Sequence, residues 1–294
     1  MASLYKKIEA ILPPPSPHMV GDGFRVHNFF PHSDKIGMKG MSPFFLLDYN
    51  SLVTLPPSEK QKGVGVHPHR GFETVTIAYK GSVSHHDSAG NSGVINPGDV
   101  QWMTAGSGVL HKEYHEKEFS LRGGPFQMVQ LWVNLPARFK MNEPRYQPIE
   151  NKDMPRLPVT NGKGTVELIA GELEGKKGSA KTFSPVNLFN CRMKTGDVEV
   201  LSISDKFNTG LLVIEGGIKL NDSVNVQVDN FVLFGHEGEE IRLEALSDSV
   251  ILILGGEPID EPIAAYGPFL MNTQAEIAQA FDDYYSGVFG YLED

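Results

Sequence analysis

One cysteine in 294 residues, Cys191, leaves no possible intrachain disulfide and excludes a secreted scaffold held by cross-links. Basic residues are short as well: 26 Lys and Arg against 36 Asp and Glu give a formal net charge of −10. No basic stripe with interleaved aromatics occurs, so direct nucleic-acid binding, which needs phosphate contacts, is not expected. Long apolar runs are missing too. Lys6-Lys7 is followed only by Ile8 to Leu12 before Pro13-Pro14-Pro15, which suits neither a signal peptide nor a membrane span. The expectation is a soluble chain of the reducing cytoplasm with no membrane partner. What is abundant points elsewhere. Hydrophobic residues at 40% suffice for packed cores, while 31 Gly and 20 Pro suit short strands and many turns.

Strand signals dominate. Val26 to Phe30 and Phe44 to Leu47 are short β-prone runs, and Glu73 to Tyr79 meets Lys80-Gly81 and continues into Ser82-Val83-Ser84 as a hairpin. Asn96-Pro97-Gly98-Asp99 reads as a turn before Val100 to Met103, and Met128 to Leu135 alternates until Pro136 ends it. Residues 140–158 are richer in Pro, Asn and charge and read as a linker. Beyond them Val166 to Ala170, Val198 to Ile203, Leu211 to Leu220 (broken at Gly216-Gly217), Phe231 to Phe234, Glu240 to Leu243 and Val250 to Leu254 resume the pattern. The best helix is Thr273 to Tyr285, with Thr273 and Glu276 at capping-box spacing and an apolar stripe of Ile277, Ala280, Phe281 and Tyr284. The fold class is therefore all-β: two antiparallel barrels or double-sheet jelly rolls with a short C-terminal helix. The expected division is an N-terminal metal-binding barrel over 1–139, the linker, and a C-terminal barrel over 159–294 that includes the helix. A faint resemblance of Ile214-Glu215-Gly216-Gly217-Ile218 to Tyr79-Lys80-Gly81-Ser82-Val83 hints at duplication. That overlay puts Ser202, Ser204, Leu246 and Asp248 opposite His67, His69, His111 and Glu113, so the second barrel is expected to lack a metal site.

The chemistry concentrates in two ligand pairs, His67-Pro68-His69 and His111-Lys112-Glu113. Residues two apart on a strand point to one face, so two such strands inside a barrel aim three imidazoles and one carboxylate at a point. Alone, the first pair reads more readily as two exposed loop histidines; the second pair at the same spacing turns the reading to a mononuclear metal site. Pro68 confines the first pair to a strand start or edge. Glu73, four residues after His69, is a rival to Glu113 for the carboxylate. His85-His86-Asp87 reads as turn or solvated surface. His115 shares the parity of His111 and Glu113 and could line the same pocket, but reads rather as lying beyond the barrel mouth; His18, His27, His32 and His236 read as structural or exposed. Gly106-Ser107-Gly108 lacks the flanks of a nucleophile elbow or phosphate loop.

With those residues in place, the chain resembles the pirin family of the cupin superfamily. The carrying stretches are His67-Pro68-His69-Arg70-Gly71-Phe72-Glu73-Thr74-Val75, residues 96–106, Leu110-His111-Lys112-Glu113, Leu131-Trp132-Val133-Asn134-Leu135 and Gly267-Pro268-Phe269-Leu270-Met271-Asn272-Thr273. The resemblance implies two cupin barrels with iron in the N-terminal one, held by residues matching His67, His69, His111 and Glu113, and so favours Glu113 over Glu73. Fe(II) suits such donors best, although Mn, Co, Ni, Cu and Zn use them too. It further implies quercetin 2,3-dioxygenase-like chemistry on a flavonol-like substrate and O2, with Glu113 also able to accept the hydroxyl proton. The alternative it implies is a redox- or metal-responsive module that regulates a protein partner without turnover.

Overall fold

The computed structural model describes residues 5–293. They fall into two compact units, each built on a seven-stranded and a four-stranded antiparallel sheet. The units are interleaved in sequence rather than consecutive. One takes the residues up to Pro15, Phe29–Pro43 and Lys152–Pro258; the other takes Ser16–Asn28, Phe44–Asn151 and everything from Ile259 onward.

In the first unit just named, β1 (Ile8–Leu12) pairs with Phe231–Phe234 at the edge of the seven-stranded sheet. The interior of this unit is apolar: Phe189, Leu201, Leu211, Ile241 and Ile253 are fully buried within one hydrophobic cluster. The run from Leu211 divides where expected. Asn208–Glu215 and Gly217–Leu220 lie in different sheets on either side of Gly216. Of the four residues aligned with the ligand pairs, Ser202 is exposed. Asp248 is likewise exposed and bonded to Lys194 and Thr195.

The second unit holds both ligand pairs. Its strands are β2 (His18–Val20), β3 (Phe24–Phe30), β4 (Phe44–Leu55), β5 (Gly63–His69), β6 (Phe72–Lys80), β7 (Val83–Asp87), β8 (Ser92–Ile95), β9 (Val100–Thr104), β10 (Val109–His115), β11 (Gly124–Asn134) and β12 (Arg145–Ile149); the last two residues of β3 belong to the other unit. One sheet runs β12-β9-β6-β11-β4-β3-β2 and the other β5-β10-β7-β8. In β6, β9 and β11 the register sorts side chains onto two faces. Thr74 and Thr76 share a face with Trp132, Gln130 and Gln101, while Glu73 and Val75 share the other with Val133, Leu131, Trp102 and Thr104.

Two parts of the expected division change. Residues 140–158 are not a linker: Arg145–Ile149 forms β12, paired with β9, and Arg156–Pro158 pairs with Thr165–Ala170. β12 is an edge strand and therefore tolerates Pro148, the kind of residue that masked it in the sequence. The terminal helix α2 (Gln274–Tyr285) belongs to the unit with the ligand pairs, not to the C-terminal barrel. Its Ile277 and Ala280 pack with Leu110, Phe269 and Met271. Its cap is as read: Thr273 Oγ1 accepts from the Glu276 N–H, and Glu276 Oε2 accepts from the Thr273 N–H. A six-residue helix α1 (Lys117–Arg122), capped by the Glu116 carboxylate, lacks the length for a periodic signal. No helix among the described residues is long and apolar enough to cross a membrane.

Candidate metal centre

β5 is an edge strand, which is why it accommodates Pro68 between the two histidines. It pairs antiparallel with β10, and His67 stands directly opposite His111. Between the pairs His111–His67 and Glu113–Val64, one residue of β10 faces two of β5, a bulge at Gly65–Val66. There the Gly65 carbonyl accepts a hydrogen bond from His67 Nδ1 at 2.8 Å, leaving Nε2 with its lone pair for a ligand role. Ring nitrogens of His67, His69 and His111 come together within 4.8 Å of one another, the one such group among the described residues.

Burial decides the charge of these rings. His111 is wholly inaccessible, and burial first, then the neighbouring His67, His69 and His85, hold its imidazole well below the ordinary range. His69 is likewise held well below, by burial and then His67, against a backbone hydrogen bond to Pro268. Burial lowers His67 too, opposed by its bond to Gly65. All three are thus neutral near pH 7, the state in which imidazole coordinates metal. Neither nitrogen of His111 has a protein partner, nor has Nδ1 of His69. Unpartnered buried nitrogens are unusual, and three converging imidazoles explain them as donors to a bound cation. The donor set fits a mononuclear transition-metal centre.

Glu113 is 4% exposed and follows the parity of His111, but its carboxylate is outside the close imidazole group. Oε1 accepts from Thr76 at 3.2 Å and Oε2 from Gln130 at 2.9 Å, on the inward faces of β6 and β11. Burial raises its pKa, opposed by these two donors. Each oxygen keeps a further lone pair, so Thr76 and Gln130 can orient the carboxylate while it reaches a metal.

Glu73 lies on the opposite face of the sheet. The parity that ties it to His69 in an extended chain is broken at Gly71 (φ +88°), where a Cβ would come 2.1 Å from the Leu270 carbonyl oxygen. Its carboxylate accepts from Thr104 Oγ1 at 2.7 Å, beside Trp102. Burial raises its pKa to about 7 from an ordinary 4.5, opposed by Thr104, Trp102 and Arg145. Between pH 4.5 and 7 the folded protein therefore holds a proton the unfolded chain has lost, and stability falls as pH rises through that window. Glu73→Gln is expected to leave metal content unchanged and to remove this slope, gaining at most about 3 kcal/mol at pH 8 over the native protein. Urea denaturation at pH 5 and pH 8, with metal analysis, checks both outcomes.

Two histidines read as peripheral are interior. His85 pairs across from Glu113, is 7% exposed, stacks on Tyr146 at 5.1 Å and lies 6.4 Å from His111, ring centre to ring centre. His115 is packed against Phe24, Phe119 and Phe126. His86 alone of that run faces outward. Strand parity from His111 carries His115, while His85 faces inward through the pairing of β7 with β10, which the sequence did not reveal. Three further residues support the site without a sequence signal. Phe72 and Trp132 stack at 4.2 Å, each edge-on to His69. Arg70, 3% exposed, donates to the Ser107 carbonyl at 2.7 Å, pairs with Asp283 of α2 at 2.7 Å, and lies over Phe289. It ties the strand that carries the histidines to the C-terminal segment.

Comparison with known proteins agrees with this architecture. The family model described as Pirin matches residues 23–133, and that of the Pirin C-terminal cupin domain matches residues 188–290. A Pseudomonas aeruginosa protein named "Putative quercetin 2,3-dioxygenase" is 44% identical over 97% of this chain and 98% of its own length. A pirin-like protein of Caulobacter vibrioides is 38% identical over 84% of this chain and 87% of its own. A crystal structure of quercetin 2,3-dioxygenase from Acinetobacter baumannii superposes with a TM-score of 0.91 at 46% identity, covering 98% of this chain and 99% of that one.

Proposed function

The chain belongs to the pirin family, and from that premise we propose that it is a mononuclear iron dioxygenase acting on flavonol-like aromatic substrates. The observation that carries the reading is the group of three converging, neutral imidazoles, of which His69 and His111 are buried with unpartnered nitrogens, beside a carboxylate on the same strand face. His67, His69, His111 and Glu113 would hold the ion, with Fe(II) the best fit to three nitrogens and one oxygen. When bound, it supplies Lewis acidity toward a phenolic hydroxyl and redox access to O2.

The chain's own groups do the rest. Gly65 holds the His67 ring in one orientation, so that its free nitrogen faces inward. Glu113, whose pKa burial has raised, is placed to take the hydroxyl proton, and Thr76 and Gln130 keep its oxygens turned toward the pocket. The Phe72–Trp132 stack presents an apolar wall beside His69 that excludes water from that side.

The test is O2 consumption by iron-loaded protein with quercetin. Uptake is expected with the native chain, and Glu113→Gln is expected to lower it by about 10²–10⁴-fold, the usual worth of a positioned general base. Full metal content without uptake over a panel of flavonols would overturn the enzymatic reading. That outcome would leave the metal-responsive binding module in its place.

A further inference from the structure

Between the edge strands β8 and β12, on the side of the barrel away from β5, a cleft of about 440 Å³ opens beside His85, Gln101 and Tyr146. That volume suits a small ring system. Gln101 is 3% exposed and stands opposite Thr76, on the face that carries the Glu113 contacts. Both polar atoms of its amide, the Tyr146 hydroxyl and His85 Nδ1 are buried and make no well-formed protein hydrogen bond; the polar groups nearest the Tyr146 hydroxyl are the side chains of Asp87 and Gln101. One wall of one cleft thus collects a donor–acceptor amide, a hydroxyl and a ring nitrogen, each short of a well-formed hydrogen bond. Buried groups in that state call for a ligand that supplies hydrogen bonds. The packing around His85 is close: a Cβ on Gly93 would approach its Nε2 to 2.8 Å, so only glycine there leaves the ring its place.

The remaining lining selects the kind of ligand. Val94, Pro148 and Ile149 offer apolar surface, and Val94 is 48% exposed. Asp99 and Glu150 also line the cleft and disfavour an anion. Asp99 accepts from the amides of Asn96 and Asn151, and nearby Asp87 from those of Ala89 and Asn91, so these carboxylates are poor anchors for a cation. Neutral, flat and hydroxylated is the chemistry that remains.

We propose that this cleft is a recognition subsite for a neutral hydroxylated aromatic ring, with Gln101 and Tyr146 reading its hydroxyl groups. The inference rests on the aromatic-substrate reading above and adds that the specificity-determining contacts lie across the barrel from the HxH strand, on the far side of His85. The subsite needs no metal, and that separates the two claims experimentally.

Chelated, metal-free protein is titrated with quercetin and with flavone, its hydroxyl-free parent, following ligand absorbance and protein fluorescence. Quercetin is expected to bind the metal-free native chain at least tenfold more tightly than flavone. Gln101→Leu and Tyr146→Phe are each expected to weaken quercetin about five- to tenfold while changing flavone binding less than twofold, the size of one lost hydrogen bond. Thermal melting of both variants verifies folding, and Tyr146→Phe, which removes one atom, keeps the test decisive if Gln101→Leu misfolds. Equal quercetin binding by native and variant proteins, or no preference over flavone, overturns the subsite. O2 uptake is not involved in this measurement, so a failure of the dioxygenase reading leaves its result standing.

Discussion

Purified His111→Ala protein is expected to carry essentially no iron, where the native chain is expected to carry one ion. Loss of an outer hydrogen-bond partner of a metal ligand already costs 10–100-fold in affinity, so loss of a ligand at the centre of the group costs more than about a hundredfold. His111 faces His67 across the β5–β10 ladder, and its ring lies 5.4 Å from His67 and 5.9 Å from His69, centre to centre. The next imidazole, His85, is stacked on Tyr146 and lies outside the close group of ring nitrogens. Since the His111 ring makes no protein hydrogen bond, the metal-free fold loses only its packing, about 1–2 kcal/mol. Metal analysis together with melting of the chelated protein separates the two effects. Iron retained at the native level would show that the ion is held elsewhere.

The second large effect lies away from the ligands, at Lys140. This lysine is 1% exposed, and its ammonium donates to the Gly71 carbonyl at 2.8 Å, Asn134 Oδ1 at 2.6 Å and the Leu270 carbonyl at 2.8 Å. Burial pushes its pKa down to about 7 while Glu261 and Glu276 oppose, and three close oxygens together require the three hydrogens of the charged form. Lys140→Met fills similar space but leaves three buried acceptors unpaired. The expected loss is about 3–5 kcal/mol, or roughly 10 °C in melting temperature. Gly71 is two residues beyond His69, so metal affinity is expected to fall as well. Differential scanning calorimetry of chelated native and variant protein checks the stability, and an unchanged transition would show that the three contacts contribute nothing net.

Lys140 also marks the limit of what local sequence carries. It sits in a stretch whose proline and charge content read as linker, and its partners lie as far as Leu270, 130 residues away. Nothing within a window around it encodes that shell. The features that were legible depend on a few neighbouring residues: the capping box of α2, the edge position of the strand holding Pro68, and the alternation that buries Val129, Leu131 and Val133 on one face. Strand parity is reliable only while the chain stays extended. It carries His111 to Glu113 and on to His115 within β10, but fails from His69 to Glu73, because Gly71 turns the chain and puts Glu73 on the other face of its sheet. His85 escaped for a related reason, since its inward direction follows from the pairing of β7 with β10 and not from its own neighbours. The interleaving of the two units is equally non-local: the helix that follows the C-terminal barrel in sequence packs against Leu110, next to His111.

Anomalous diffraction at the iron edge from crystals of iron-loaded protein tests the central claim most directly. The account predicts one peak per chain, at coordination distance from a nitrogen of each of His67, His69 and His111 and from an oxygen of Glu113. A peak at Glu73, or one in the barrel containing Phe189 and Leu211, would contradict it.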